Sequence, residues 1–292
     1  MKITIGEHTL DCNERPAIMG ILNLGTDSPV SHSVIPNNAA IDAAAERAEA
    51  LRDAGAAIMD VGAHSTRTGG EAPTPEQEIE RLCPAIEALR REGHLISVDT
   101  WTAAVADAAL QAGAQILNDV TAAADPDMAG VAARHGCPLI VMHMRGRPKA
   151  HREADQAYGD VAGEVRDYLA QHVDTLNAEG VDSVWIDPGF EFAKSLDDNL
   201  RMLAGLSQLA TLGRPIVVSA SRKGFLAELL GHGKLRSSEA QQVPGILQAT
   251  IAVNVIAGLL GAHIVRVHDV AEIEAAMKVV AGMRRVQGSI EP

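Results

Sequence analysis

Three polar side chains with complementary hydrogen-bonding groups follow short apolar segments of the chain. Asp99 and Asp187 offer carboxylate acceptors, and Asn118 offers both a donor and an acceptor. A carboxylate pairs well with a guanidine-like N–C–N edge, such as the amino-pyrimidinone edge of a nitrogen heterocycle. These residue types therefore predict a binding site for a polar heterocycle.

A second group of side chains is suited to phosphate. Arg67, Lys223, Arg266 and His268 are cations that could neutralise a pyrophosphate. Asn23 carries an amide oxygen without charge, which suits a hard divalent ion that holds only one or two protein ligands. The two groups together predict a heterocycle at the floor of a pocket and a phosphorylated leaving group at its rim.

Eight short apolar runs must position these side chains. Continuous apolar runs of this kind are typical of strands buried on both faces of a parallel sheet. The runs span residues 17–24, 57–62, 95–100, 115–120, 138–144, 183–189, 215–221 and 263–269. Amphipathic stretches between them predict helices at 39–54, 75–91, 103–111, 127–135, 161–178, 196–209, 247–260 and 271–285.

Eight such β-α units without a linker predict an α/β fold, a (β/α)8 TIM barrel forming one domain over residues 1–292. Residues 1–15 are expected to form a short β-hairpin that covers the bottom of the barrel. In this architecture the chemistry lies at the C-terminal ends of the strands. The predicted strands end in polar groups: Asn23, Asp60, Asp99, Asn118 with Asp119, His143, Asp187, Ser221 with Arg222 and Lys223, and Arg266 with His268.

The composition excludes several classes of protein. The formal charge of -13 argues against nucleic acid or an anionic membrane as partner, and 2% aromatic residues are too few for a base-stacking surface. The three cysteines, Cys12, Cys83 and Cys137, form no CxxC pair, which favours a reducing cytoplasm over a disulfide scaffold or a zinc knuckle. No secretory signal or membrane-length apolar run is found, so a soluble cytoplasmic protein is expected.

At the same strand ends the chain resembles the dihydropteroate synthase family of pterin-binding TIM-barrel enzymes. The matching strings, in chain order, are MGILN (19–23), STR (65–67), SVDT (97–100), ND (118–119), MHMRGRPK (142–149), DPG (187–189), FAK (192–194), SRKGF (221–225) and RVHDV (266–270). The resemblance implies a transferase that joins 6-hydroxymethyl-7,8-dihydropterin pyrophosphate to 4-aminobenzoate and releases pyrophosphate, a step of folate biosynthesis.

The resemblance also implies roles for matched positions. The pterin is expected to contact Asp99, Asn118, Asp187 and Lys223, with Met142 and Phe192 lining the pocket. The pyrophosphate and acceptor side is expected to involve Asn23, Asp27, Thr66, Arg67, Ser221, Arg266 and His268, with Mg²⁺ held at Asn23. Asp99, Lys223, Arg266 and His268 are the expected catalytic residues, and a homodimer through the last helices is expected.

The departures from the family pattern are concentrated in two loops. The family's N-V-T-P-D-S-F-S-D-G-G becomes NLGTDSPVSHS at 23–33, and G-E-S-T-R-P-G becomes AHSTRTG at 63–69. In addition, Glu191 and Ser219 replace glycines; Glu191 could pair with Lys223 or Lys194, or contact a different ligand. These departures predict an intact pterin and pyrophosphate half and an altered acceptor half.

Several interpretations remain open at this point. The chain could be a working synthase with unusual loops, or a paralogue that binds pterins and uses another amine. A pterin-dependent methyltransferase is a third possibility, although it has no need of Arg266 and His268 for a leaving pyrophosphate. A pterin-independent phosphate-binding barrel enzyme is a fourth, although such barrels usually place a glycine-rich phosphate site where this chain has SRK and RVH. The sequence does not identify the acceptor amine.

Overall fold

Ten strands are present in the computed structural model, which describes residues 1–24, 40–63, 73–146 and 157–289. They are β1 (Lys2–Ile5), β2 (His8–Asp11), β3 (Ala17–Asn23), β4 (Ile58–Gly62), β5 (Ile96–Asp99), β6 (Ile116–Asp119), β7 (Leu139–Met142), β8 (Val184–Asp187), β9 (Val217–Val218) and β10 (Ile264–Val267). The last eight coincide with the eight apolar runs of the sequence.

These eight strands form one parallel sheet in the order β8-β7-β6-β5-β4-β3-β10-β9. The two ends of this sheet meet, because Ile186 of β8 bridges Ile216, the residue before β9. The Ile186 amide donates to the Pro215 carbonyl at 2.9 Å. The sheet is therefore a barrel, as the alternation of apolar runs and helices predicts.

Ten α-helices connect or flank the strands in the described residues. They are α1 (Ala40–Asp53), α2 (Pro75–Arg91), α3 (Ala103–Ala112), α4 (Met128–His135), α5 (Val161–Ala178), α6 (Leu196–Ala204), α7 (Gly224–Leu229), α8 (Ser237–Ala240), α9 (Ile246–Leu259) and α10 (Val270–Ser289). Local sequence explains several boundaries. At the start of α2, for example, Thr74 and Gln77 form a reciprocal capping box with Pro75 at the first helical position.

One predicted helix is interrupted. The pattern predicts a single helix over 196–209, whereas α6 ends at Ala204 and a 3-10 helix runs over Leu206–Leu212. The break lies at Gly205, the residue type with the lowest helix propensity after proline. A Cβ at Gly205 would lie 2.6 Å from the Cβ of Ala162, so the chain passes too close to α5 for any side chain here. The short helices α7 and α8 are not foreseen by the apolar pattern.

The N-terminal hairpin covers the bottom of the barrel, as expected. β1 and β2 pair antiparallel, and Ile3, Ile5 and Leu10 are buried in one cluster with side chains from the strand starts. The barrel members of this cluster include Met19, Ile58, Ile116, Ile140, Trp185, Val217 and Ile264. This end of the barrel is apolar and filled, which leaves the opposite end for chemistry.

Inside the barrel, several strands change from an apolar to a polar side chain over two residues. Because side chains alternate between the two faces of a strand, the residue two positions after an inward apolar residue also points inward. Ile58 is followed in this way by Asp60, Ile116 by Asn118, Trp185 by Asp187 and Ile264 by Arg266. The result is a polar layer above an apolar floor.

No helix of the described residues is both long enough and apolar enough to cross a membrane.

Candidate active site

Arg266 is the centre of a hydrogen-bonded group of side chains in the polar layer. Its Nε donates to Asp60 Oδ2 and its Nη2 donates to Asp99 Oδ2, both at 2.6 Å. Asn118 Nδ2 donates to Asp60 Oδ2 at 3.2 Å. Charge-assisted bonds of this length are the strong class of hydrogen bond, so residues from strands β4, β5, β6 and β10 are held together here.

Burial and charge oppose each other within this group. Burial raises the pKa of Asp99, and the Arg266 guanidinium acts in the opposite direction. Burial disfavours the charge on Arg266, but the carboxylates of Asp60 and Asp99 outweigh it and raise the pKa of Arg266 above its usual range. Arg266 is therefore a fixed cation facing two carboxyl groups, and Asp99 lies at the accessible side of the group, with 16% of its side chain exposed against 0% for Asp60.

Asp187 ends β8, and Lys223 lies directly before α7 in the segment that follows the neighbouring strand β9. The Asp187 carboxylate accepts the Gly189 N–H at 2.6 Å, and burial raises the pKa of Asp187 to about 6. Lys223 places its Nζ 4.5 Å from the ring centroid of Phe192, within the range of a cation–π contact. Desolvation lowers the pKa of Lys223, while the charge of Glu191 acts against that shift.

A small apolar wall stands beside these groups. Val120, Met142, Met144 and Phe192 form a buried cluster separate from the main core, and Trp101 packs against it. Met142 and Phe192 therefore share one apolar surface, as the pocket prediction requires. A flat ring could lie against this wall while its polar edge meets the acids, which is the usual division of labour in a small-molecule pocket.

Ser221 and His268 form a second polar pair at the ends of β9 and β10. Ser221 Oγ lies 3.0 Å from His268 Nδ1, and the His268 amide donates to Ser221 Oγ at 3.3 Å. Asn23 ends β3 and is paired in register with Gly62 of β4, which is in turn paired with Asp99. The predicted residues Asp27, Thr66 and Arg67 lie outside the described residues.

Three of the polar side chains near strand ends have partners outside the group centred on Arg266. Arg222 forms a bidentate ion pair with Asp269, at 2.7 and 2.8 Å. Asp119 accepts from Thr121 and from the Ala123 amide, and so closes the turn after β6. His143 lies 2.9 Å from Lys194 Nζ and edge-on to Tyr168; burial lowers its pKa to about 2. These contacts are those of a buried histidine whose polar atoms are satisfied within the protein.

Sequence reasoning gave Asp60 no role, although it is the most central carboxylate. Asp60 is fully buried and contacts both Arg266 and Asn118. The sequence placed Asp60 among the polar strand ends, but none of the strings that carry the family resemblance includes it. The period-two alternation Ile58, Asp60, Gly62 is the signal that points the Asp60 side chain into the barrel interior.

Taken together, the arrangement can bind an electron-poor heterocycle and stabilise positive charge on it. Asp99 and Asp187 supply acceptors, Asn118 and Lys223 supply donors, and the apolar wall supplies a face for the ring. Arg266, Ser221 and His268 lie toward the strand ends, where an anionic group could be held. Fixed charges and dipoles of this kind act on charge that develops during a reaction.

Comparison with known proteins gives a consistent result. The family model described as "Pterin binding enzyme" matches residues 19–268. A dihydropteroate synthase of Synechocystis is 37% identical over 287 residues, covering 97% of this chain and 95% of that protein. The dihydropteroate synthase of Escherichia coli K12 is 37% identical over 283 residues, covering 96% and 95%.

Solved structures of similar proteins superimpose on nearly the whole chain. The Yersinia pestis dihydropteroate synthase with a sulfonamide drug complex has a TM-score of 0.87 at 34% identity, covering 98% of this chain and 100% of that one. The Thermus thermophilus dihydropteroate synthase in complex with 4-aminobenzoate has a TM-score of 0.83 at 35% identity, covering 97% and 100%. The same Thermus protein in complex with 6HMPPP has a TM-score of 0.80 at 33% identity, covering 97% and 99%.

Proposed function

The chain belongs to the pterin-binding enzyme family, and from that membership we propose that it is a working dihydropteroate synthase. The reaction joins 6-hydroxymethyl-7,8-dihydropterin pyrophosphate to 4-aminobenzoate with release of pyrophosphate. The observation that carries the proposal is the group in which Arg266 contacts Asp99 and Asp60, beside Asn118. It combines acceptors for a pterin edge with a cation for the leaving anion.

The pterin would occupy the polar layer against the apolar wall. Asp187 and Asp99 would accept from its amino-pyrimidinone edge, Asn118 and Lys223 would donate to it, and Met142 and Phe192 would contact its face. A related protein from Thermus thermophilus binds 6HMPPP, which supports a pterin pyrophosphate as the ligand class.

The chemical step is a substitution at the pterin methylene. The C–O bond to pyrophosphate breaks and its electron pair leaves with the anion, which gives a cation delocalised into the ring. The amine nitrogen then forms the C–N bond and loses a proton. Asp99 and Asp187 stabilise the positive charge, and Arg266 with His268 stabilises the departing anion.

The donor set at the end of β3 fits a magnesium ion. Mg²⁺ usually keeps several waters and takes one or two protein oxygens together with substrate phosphates. Asn23 offers one amide oxygen, and its neighbour Gly62 has no side chain to fill the space toward Asp99. Asn23 would therefore hold the ion, which when bound neutralises charge on the leaving pyrophosphate.

The acceptor half is proposed to differ from that of the family. The support is the sequence of the two loops at 23–33 and 63–69, which lose the aromatic residue, two prolines and two acids of the family pattern. Poor use of 4-aminobenzoate and weak sulfonamide binding are expected. A micromolar Michaelis constant for 4-aminobenzoate together with ordinary sulfonamide inhibition would overturn this part.

The first test is pyrophosphate release from the pterin pyrophosphate with magnesium, with and without 4-aminobenzoate. Release that depends on 4-aminobenzoate and yields dihydropteroate is the expected result. Pterin binding without that product would contradict the synthase proposal and leave a paralogue that uses another amine or transfers a methyl group. Absence of pterin binding would contradict both.

The site itself is tested by two variants in the same assay. Asp99→Asn and Lys223→Ala should each abolish pterin binding, because each removes a charged group that faces the ring. Asp53→Asn, an exposed carboxylate at the end of α1, is the matched control and should bind normally. Unchanged pterin affinity in both site variants would refute the assignment.

We also propose a cytoplasmic homodimer of one-domain subunits whose interface is formed by α9 and α10. These helices pack against each other and carry exposed apolar side chains: Ile256, Leu259, Val279, Met283 and Val286. The proposed partners are otherwise small molecules, with neither nucleic acid nor a membrane involved.

A further inference from the structure

The loop between β8 and α6 has an unusual backbone. Gly189, Glu191 and Ala193 all have positive φ, of 68°, 76° and 50°. Glycine adopts this conformation freely, whereas a residue with a side chain is strained in it. Glu191 and Ala193 therefore hold positions that the surrounding structure must enforce.

Buried polar side chains supply that enforcement. Asn199, which is fully buried, accepts the Glu191 N–H at 2.7 Å through Oδ1. Lys194 Nζ donates to the carbonyls of Gly189 and Phe192, at 2.9 and 3.3 Å. The loop is thus fixed at several points, and the side chains of Glu191 and Phe192 are directed with it.

Glu191 uses its position to cap a different element. Its Oε2 accepts the N–H of Gly224, the first residue of α7, at 3.1 Å. That N–H is one of the four that have no partner inside the helix, and a group from outside the helix can satisfy it. Here the preceding residue is Lys223, which has no acceptor, so Glu191 supplies the acceptor from another loop.

The contact is close enough to restrict Gly224 as well. A Cβ at Gly224 would lie 2.9 Å from Glu191 Oε1 and 2.5 Å from the Leu235 carbonyl oxygen. The Lys223 side chain, next to the capped Gly224, extends over Phe192. The negative charge of Glu191 also opposes the desolvation that lowers the pKa of Lys223.

We propose that Glu191 is a positioning residue that ties the β8–α6 loop to the start of α7 and thereby holds Lys223 in place for the pterin. The ligand in this statement rests on the proposed function, whereas the tether does not. Glu191 replaces a glycine of the family pattern, so the tether is a feature of this chain's own sequence.

The tether is tested first without any ligand, by hydrogen–deuterium exchange of the full-length protein. In Glu191→Gly the amides at the start of α7 should exchange at least about tenfold faster, since a hydrogen bond to a charged acceptor is lost. Glu191→Gln keeps an acceptor oxygen and should remain close to the wild type. Ala193→Gly, which relieves strain in the same loop without touching α7, is the matched control and should leave these amides unchanged.

Pterin affinity is then measured for the same variants. Glu191→Gly should bind the pterin pyrophosphate about tenfold more weakly, and Glu191→Gln should lie between it and the wild type because the charge alone is lost. Wild-type exchange or wild-type affinity in Glu191→Gly would overturn the inference. A wild-type protein that binds no pterin would refute the proposed function, and the exchange result would still decide the tether.

Discussion

The Asp187 carboxyl must be ionised to pair with a guanidine-like edge, yet burial favours its neutral form. Its pKa is raised from 3.8 to about 6. A raised pKa in the folded state means that the folded protein holds this proton more tightly than the unfolded chain. Between these two pH values the contribution of Asp187 to the free energy of unfolding therefore falls as the pH rises. Ligand binding to the carboxylate follows the opposite trend.

We therefore predict that protonation of Asp187 weakens pterin affinity by about tenfold for each pH unit below 6, because the proton and the pterin compete for the same carboxylate. Asp99, whose pKa burial raises to about 7, adds a separate loss that begins at higher pH. Calorimetric dissociation constants on both sides of pH 6 would show the inflection. Asp187→Asn should bind weakly with no inflection there. Asp119→Asn is the control, since the pKa of Asp119 is also about 6 but its carboxylate faces the turn after β6. Loss of the inflection in the control would contradict the assignment.

At the level of single residues, the sequence predicted which polar residues end the strands better than it predicted the contacts between their side chains. Asp99, Asn118, Asp187 and Arg266 could be found because each directly ends or nearly ends an apolar run. Asp60 was named as a strand end but given no role in the site, and the partner of Glu191 was left open between Lys223, Lys194 and a different ligand. Hydrogen bonds such as Glu191 to Gly224 join residues 33 positions apart, and their geometry depends on positive φ angles that residue types do not reveal.

Among the elements, the turn after β8 depends most strictly on one residue. Gly189 has φ of 68°, and a Cβ there would lie 2.0 Å from the carbonyl oxygen of His143 at the end of the neighbouring strand. Its amide also bonds Asp187. A side chain would have to displace either the end of β7 or the acidic group of the site.

Gly189→Ala is accordingly predicted to lower the free energy of unfolding by about 3 kcal/mol or more, and to abolish pterin binding. Gly213→Ala is the matched control, because Gly213 has a similar φ of 64° with no atom near its Cβ position. It should cost about 1 kcal/mol, the left-handed penalty alone. Denaturant unfolding of both variants measures the difference, and equal losses would show that the contact with His143 is not limiting.

The helices and strands themselves were largely predictable. Apolar periodicity placed α2 and α5 at their observed bounds, since capping residues and glycines mark those ends. The prediction of a single helix at 196–209 is wrong. The helix is interrupted at Gly205, which lies close to α5, and such a tertiary contact cannot be derived from apolar periodicity. The short α7 could not be found from periodicity, because six residues do not complete two helical turns.

For the whole molecule, barrel closure could be predicted from the eight alternating β-α units. The division of the interior into an apolar floor and a polar layer depends on how the strands are aligned in the folded barrel. The hairpin contributes Ile3, Ile5 and Leu10 to the floor, so the N-terminal end of the barrel is sealed. The described groups that are proposed to bind ligand then lie at the other end. The family resemblance predicted that placement, and the register of the strands explains it.

The proposed dimer is the property of the whole molecule that a single substitution can test. Each subunit carries a formal charge of -13, so long-range electrostatics oppose association and an apolar contact must provide the free energy. Val279 and Val286 of α10 are 72% and 62% exposed, and Met283 lies between them on the same helical face. Exposed apolar stripes on two neighbouring helices are typical of an interaction surface.

We predict that Val279→Asp converts the dimer into a monomer, because the substitution would bury a carboxylate against the same acidic partner. Light scattering during size-exclusion chromatography would give the mass of each variant. Ile41→Asp is the matched control: Ile41 is an equally apolar, exposed residue, but it lies on α1 and should leave the mass unchanged. Raising the salt concentration should strengthen the wild-type dimer, since it screens the repulsion between two acidic subunits. A dimer that survives Val279→Asp would place the subunit contact elsewhere. A monomeric wild-type protein would contradict the proposed dimer.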